Sequence, residues 1–129
     1  MRRNLNFIEF DAFLTPIALG RPHVNTQTKL SYLRKADINF RDNLAWIAQL
    51  EMKAQKKFPL EGAVAADVKI YRNFPVTSKN FGDVDNHLKA VFDALNGICY
   101  TDDSQIVSVH CEKHRSREEF LRLRFSKIF

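Results

Sequence analysis

Between Asp83 and Asp103 the chain carries acids and a lysine whose types and spacing suit work on a phosphate ester. The stretch Gly82-Asp83-Val84-Asp85-Asn86-His87-Leu88-Lys89 sets two carboxylates two residues apart, with an ammonium four residues after the second. In extended chain, residues i and i+2 leave the same side of the backbone, so Asp83 and Asp85 can face one ligand. Asp85 also stands where a helix begins, and Lys89 at i+4 looks the same way. A second acidic pair, Asp102-Asp103, lies in the turn before Ser104-Gln105-Ile106. A chain that leaves along a helix and returns can bring Asp103 beside Asp83 and Asp85. Three gathered carboxylates repel one another, and apart from protonation a divalent cation is the usual remedy. Hard oxygen donors suit Mg²⁺, which keeps its other positions for water and substrate phosphate.

Each of these residues has a plainer reading. Asp85 can be a helix N-cap, Asp102-Asp103 ordinary turn residues, and Lys89 the partner of Asp85 in a solvated ion pair. Asp93 extends the same i,i+4 ladder and reads as structural. A calcium loop starting at Asp83 fails, because Leu88 stands where the turn glycine belongs and Ala94 where the bidentate glutamate belongs. Residue types and spacing alone leave the metal site and the plain readings both open.

The elements that must position these groups follow from periodicity. Leu5 to Leu14 is dense in Phe, Ile and Leu and reads as a first strand, broken by Pro16 and by Gly20-Arg21-Pro22. The polar, basic stretch from there to about Lys35 reads as a loop. Asp37 to about Lys56 reads as the first helix, N-capped by Asp37, with Phe40, Leu44, Ile47, Leu50 and Ala54 on its buried face. Trp46 falls off that stripe, at a second contact such as a subunit interface or at the core edge. Ala63 to Phe74 alternates Val64, Ala66, Val68 and Ile70 against polar neighbours, the pattern of a half-buried strand. Val84 to Asn96 forms a second helix with Leu88, Val91, Phe92 and Leu95 inward and Gly97 at its C-terminal cap. Ile106 to Lys113 and Phe120 to Phe125 alternate again and read as a terminal hairpin. The sum is α+β, a small mixed or antiparallel sheet with two helices in the order β-α-β-α-β-β.

Bulk composition agrees with this reading. One domain over residues 1–129 is the length expectation, with 45% hydrophobic and 27% charged residues. No apolar run approaches the roughly 20 residues that cross a bilayer, and Met1-Arg2-Arg3-Asn4 does not open a signal peptide, so a cytoplasmic protein is expected. The net charge of +5 suits a polyanionic partner, although the acids concentrate near the candidate site. Cys99 and Cys111, even with His110 and His114 nearby, match no zinc spacing and read as free thiols.

Taken whole, the strings Asp83-Val84-Asp85-Asn86-His87-Leu88-Lys89-Ala90, Phe92-Asp93-Ala94-Leu95-Asn96-Gly97 and Asp102-Asp103-Ser104-Gln105-Ile106 resemble the signature of the RusA family of Holliday junction resolvases. Gly20-Arg21-Pro22 resembles a basic segment of its phage and prophage members, with His23 where an arginine often follows; Arg41-Asp42-Asn43 fits its first helix. The resemblance implies a RusA-like, dimeric fold and a Mg²⁺-dependent endonuclease, Mn²⁺ substituting. Such an enzyme makes paired symmetric nicks in four-way DNA junctions during recombination and repair. By position it implies metal ligation by Asp83, Asp85 and Asp103, catalysis by these with Lys89, and a supporting role for Asp102. Arg21, Arg72, Lys79 and Lys89 are the expected DNA contacts, with the Arg115/Arg117 turn as a further candidate. A catalytically idle branched-DNA-binding module of the same fold is the alternative. A homodimer suits two symmetric cuts.

Overall fold

The computed structural model describes residues 6–19 and 27–128, the side chains of 27–34 excepted. The expected basic segment Gly20-Arg21-Pro22, with Arg21 and His23, lies outside the described residues. Strand β1 (Phe7–Ala12) leads to helix α1 (Gln27–Ala54), strand β2 (Val64–Arg72) and helix α2 (Val84–Leu95). A short 3₁₀ turn (Asp103–Gln105) then precedes strands β3 (Ile106–Arg115) and β4 (Phe120–Lys127). Two helices and a four-stranded mixed sheet make the fold α+β, as the periodicities indicate.

The sheet runs β1-β4-β2-β3. β4 pairs antiparallel with both β1 and β2, and β3 pairs parallel with β2. The expected β3–β4 hairpin is therefore absent, because β2 lies between its two arms. The connection crosses the end of β2, where Ser116 N donates to Arg72 O at 2.9 Å and Asn73 N to Glu119 Oε2 at 2.8 Å. A period of two identifies a strand but carries no information on its neighbour. Consequently β3 is an edge strand, and its Val107 and Val109 are 65% and 45% exposed.

Helix α1 begins well before Asp37, which sits in the helix interior instead of capping it. No Pro or Gly interrupts Gln27–Ala36, so nothing stops the helix there, but without an apolar stripe that turn-by-turn signal is invisible to periodicity. The buried row is Phe40, Leu44, Ala48 and Met52, whereas Leu50 is 50% exposed and Ala54 is also exposed. Steps of four define a ridge inclined to the helix axis, the geometry by which crossing helices interdigitate, and α1 packs chiefly on α2. Trp46, 62% exposed, is no core-edge residue.

One face of the sheet is covered. Ile8, Phe10 and Ala12 of β1, Val64, Ala66, Val68 and Ile70 of β2, and Leu121, Leu123 and Phe125 of β4 meet Leu44, Val91 and Leu95 of the helices. Helix α2 buries His87, Ala90, Val91, Ala94 and Leu95, with Leu88 and Phe92 half-buried beside them. Its solvent side carries Asp85, Lys89 and Asp93 at successive i+4 steps. Tyr100, fully buried, donates its hydroxyl to Phe92 O at 2.8 Å and so pins the chain that leaves α2. The residues of chemical interest are thus raised on an outward face over a packed core.

Candidate active site

Asp83 occupies the N-cap of α2 with extended backbone (φ −80°, ψ 148°), yet its side chain caps nothing. An N-cap aspartate ordinarily accepts from the first free helix amides. Here the carboxylate is exposed and, among the described residues, takes no hydrogen bond or ion pair. Asp85, in the first turn and exposed, meets only the amide of Asn86 among the described residues, at 3.0 Å. Lys89 is likewise exposed and pairs with neither Asp85 nor Asp93. The plain readings, Asp85 as the N-cap and Lys89 as its i,i+4 ion-pair partner, are not what the geometry adopts, since Asp83 holds the cap position and Lys89 stands apart from Asp85.

The loop ahead of Asp83 is held from three elements. Arg72, the last residue of β2, donates Nη1 to the carbonyls of Asn80 and Phe81 at 3.1 and 3.0 Å. His87 of α2 lies 2.7 Å from the Phe81 carbonyl through Nε2. A carbonyl only accepts, so Nε2 carries the proton. Lys113 of β3 donates Nζ to Gly82 O at 3.0 Å and lies 5.0 Å over the Phe81 ring. Burial holds the His87 imidazole below its ordinary pKa, and the nearby Arg72 and Lys113 cations push the same way. Arg72 Nε and His87 Nδ1 are buried without a partner among the described residues. Such orphans typically cost about 1–3 kcal/mol each. Arg72, expected as a phosphate contact, therefore has one terminal nitrogen engaged by the loop; Lys79 stands exposed within that loop.

Gly82 is required where it is. Its φ is +95°, and a Cβ there would lie 2.7 Å from Ala18 Cβ and 2.9 Å from His87 Nε2. The segment before α1 closes over the helix start as well, with Leu19 N donating to Asn86 O at 3.1 Å.

The second acidic pair is built differently. Asp102 caps the 3₁₀ turn: its Oδ2 accepts from Ser104 N at 3.0 Å while Gln105 Oε1 accepts from Asp102 N at 2.8 Å. Hydrogen bonds from Ser104 hold the Asp102 carboxyl below the usual range, chiefly from its hydroxyl and then from its amide. Gln105 Nε2 fastens the turn to the carbonyls of Leu60 and Gly62, both at 2.9 Å. Asp103 N donates to Asn96 Oδ1 at 2.9 Å, and its own carboxylate takes no partner among the described residues. The Asp-Asp-Ser-Gln string is thus a brace that offers one free acid, Asp103.

The two acid groups do not meet in one chain. Asn96 is the C-cap of α2 and Asp83 its N-cap, and a helix of 12 residues is about 18 Å long. Oxygens sharing one Mg²⁺ each lie about 2.1 Å from it. Among the described residues no three His, Cys, Asp or Glu side chains gather closely enough to hold a metal ion. The expectation that the returning chain brings Asp103 beside Asp83 and Asp85 is corrected: it returns to the far end of the helix. A single copy does not supply a three-acid metal site.

Lys113, His87 and Gly82 were not singled out from the sequence as parts of the site. The signal for Lys113 was a charge in register with Cys111 on the covered face, opposite Ile70 of β2. Arg115 and Arg117 are exposed at the β3–β4 turn.

Comparison with known proteins adds two findings. The family model described as endodeoxyribonuclease RusA matches residues 14–124. The chain is also 28% identical over 137 aligned positions to the uncharacterized protein YqaN of Bacillus subtilis (strain 168), with 88% of this chain and 92% of that protein covered.

Proposed function

The chain belongs to the RusA endodeoxyribonuclease family, and from that premise we propose that it cuts four-way DNA junctions, as a homodimer, through a divalent ion shared between two copies. The observation that carries this reading is the presentation of three exposed acids at the two ends of one helix with Lys89 between them, Asp83, Asp103 and Lys89 being unpartnered among the described residues. A family that acts on branched DNA supplies the substrate class. The net charge of +5 is compatible with that polyanion.

Two copies remove the difficulty that one copy leaves. A two-fold axis crossing the exposed face of α2 sets two such helices antiparallel. The start of one helix then lies beside the end of the other. Asp83 and Asp85 of one copy would face Asp103 of the second, and the same contact would repeat on the other side of the axis. Two equivalent sites arise, which fits two symmetric nicks.

Mg²⁺, or Mn²⁺ in its place, would supply when bound a water of lowered pKa and a polarised phosphoryl oxygen. The protein's part is electrostatic and positional. Lys89 lies one helical turn beyond Asp85 and meets charge developing on the phosphate. Asp102, fixed as a cap, holds the turn that carries Asp103. Lys79, Arg115 and Arg117 offer cations to flanking phosphates. No helix among the described residues is long and apolar enough to cross a membrane.

The separation of the acids within one chain favours one second reading, a catalytically idle branched-DNA-binding module of the same fold. A labelled four-way junction incubated with the protein and Mg²⁺, Mn²⁺ or EDTA separates the two, with duplex, flap and RNA substrates alongside. Paired nicks dependent on metal and on the junction support the nuclease. Tight junction binding with no cleavage under any metal supports the idle module and refutes the first reading.

A further inference from the structure

Three consecutive carbonyls precede Asp83, and side chains from three different elements grip them. Arg72 at the end of β2 takes Asn80 O and Phe81 O, His87 of α2 takes Phe81 O, and Lys113 of β3 takes Gly82 O. Beneath them the Phe81 ring is fully buried, edge-on to the His87 ring at 5.9 Å and under the Lys113 ammonium. Gly82, at positive φ, lets the backbone lie directly against His87. The next residue is Asp83, whose carbonyl accepts from His87 N at 3.1 Å and whose carboxylate is free. His87 therefore touches the chain on both sides of Gly82.

We propose that Arg72, His87 and Lys113 are positioning residues: together they form a cradle that fixes the Gly82–Asp83 backbone and so aims the Asp83 carboxylate. This rests on the reading of Asp83 as a metal ligand. The loop from residue 73 to residue 82 has no regular structure of its own beyond turns, so its end needs an external anchor. Hydrogen bonds from cationic donors are roughly twice as strong as neutral ones, and a catalytic group must be held within about 0.5 Å of its working position. Lys113 is the informative member. It stands in the core-facing register of β3, opposite Ile70, where an apolar side chain is the ordinary choice. Its ammonium is delivered to one backbone oxygen, that of the residue before Asp83.

The test compares Lys113→Met, which keeps the stem over Phe81 but removes the donor, with Lys113→Arg, which keeps a donor. Both are assayed beside wild type for junction cleavage against Mn²⁺ concentration, for junction affinity in EDTA, and for amide exchange by mass spectrometry. Lys113→Met should raise the Mn²⁺ concentration for half-maximal cleavage by about tenfold and lower the saturated rate by about tenfold. Junction affinity should stay within about twofold, and exchange should quicken in the peptide around residues 78–87 while β2 and β4 keep their protection. Lys113→Arg should recover most of the metal response. Wild-type metal dependence and exchange in Lys113→Met would overturn the proposal. So would exchange that quickens evenly across the sheet, the mark of general destabilisation. Should wild type fail to cut any junction, the nuclease reading falls, and Mn²⁺ affinity of the free protein measured by electron paramagnetic resonance decides the cradle alone. A weakened affinity with local loss of protection in Lys113→Met then supports it, and no change in either overturns it.

Discussion

Mixing two inactive variants tests whether the site is shared between copies. Asp83→Asn removes an acid at the start of α2, and Asp103→Asn removes the one fastened to its far end through Asn96. The ends are about 18 Å apart, several times the separation that two oxygens on one ion allow. If each site takes Asp83 and Asp85 from one copy and Asp103 from the other, both homodimers lack an acid at both sites. Each should lose cleavage by about 10²–10³, the scale for removing one group that stabilises the transition state. A heterodimer, purified through two different tags after co-expression, concentrates both lesions in one site and leaves the other whole. It should recover about half of the wild-type nicking, as single nicks and not as paired cuts. The assay is gel analysis of a junction labelled in turn on each strand. A heterodimer as inactive as its parents, although assembled and binding junction normally, would refute the shared site, because sites formed within one chain would each carry one lesion.

Other perturbations reach separate parts of the molecule. Lys89→Met should slow single-turnover cleavage by about 10²–10³ while junction affinity in EDTA changes by less than about threefold. Gly82→Ala should lower stability by about 2–4 kcal/mol in urea melts, combining an unfavourable positive φ with contacts at 2.7 and 2.9 Å. Burial pushes the Cys99 thiol up to about 12 and the Cys111 thiol to about 11. At pH 8 the thiolate fractions are then on the order of 10⁻⁴ and 10⁻³, so both should react slowly with a disulfide reagent, Cys111 first. The rate should climb about tenfold per pH unit up to pH 10 in the folded protein; fast reaction of Cys99 at pH 8 without unfolding would contradict the packing.

Much of this arrangement was legible in the residues, and the parts that were not share a cause. Strands and helices announced themselves where one face is buried: Val64, Ala66, Val68 and Ile70 alternate because β2 is covered on one side. Where the sequence carries no regular apolar stripe the periodicity is silent, which is why Gln27–Ala36 read as loop. Neighbour relations were silent as well, since β2 enters between β3 and β4 without altering either strand's own alternation. At the candidate site, the Asp-x-Asp and Asp-Asp-Ser-Gln strings marked acids that the fold leaves exposed. They could not state that the two strings sit at opposite ends of one helix, because α2 fixes their spacing in three dimensions only once Asn96 binds the Asp103 amide. The cradle of Arg72, His87 and Lys113 was hidden for a related reason: its members are far apart in sequence and its acceptors are backbone atoms, identical in every residue.

The most direct measurement is a crystal of the protein soaked in Mn²⁺ and examined by anomalous diffraction. A site shared between copies gives one strong peak per site, bounded by Asp83 and Asp85 of one copy and Asp103 of a second copy related by a two-fold axis. Manganese bound elsewhere, or bound to Asp83 and Asp85 with every Asp103 carboxylate remote from it, would rule out the shared site.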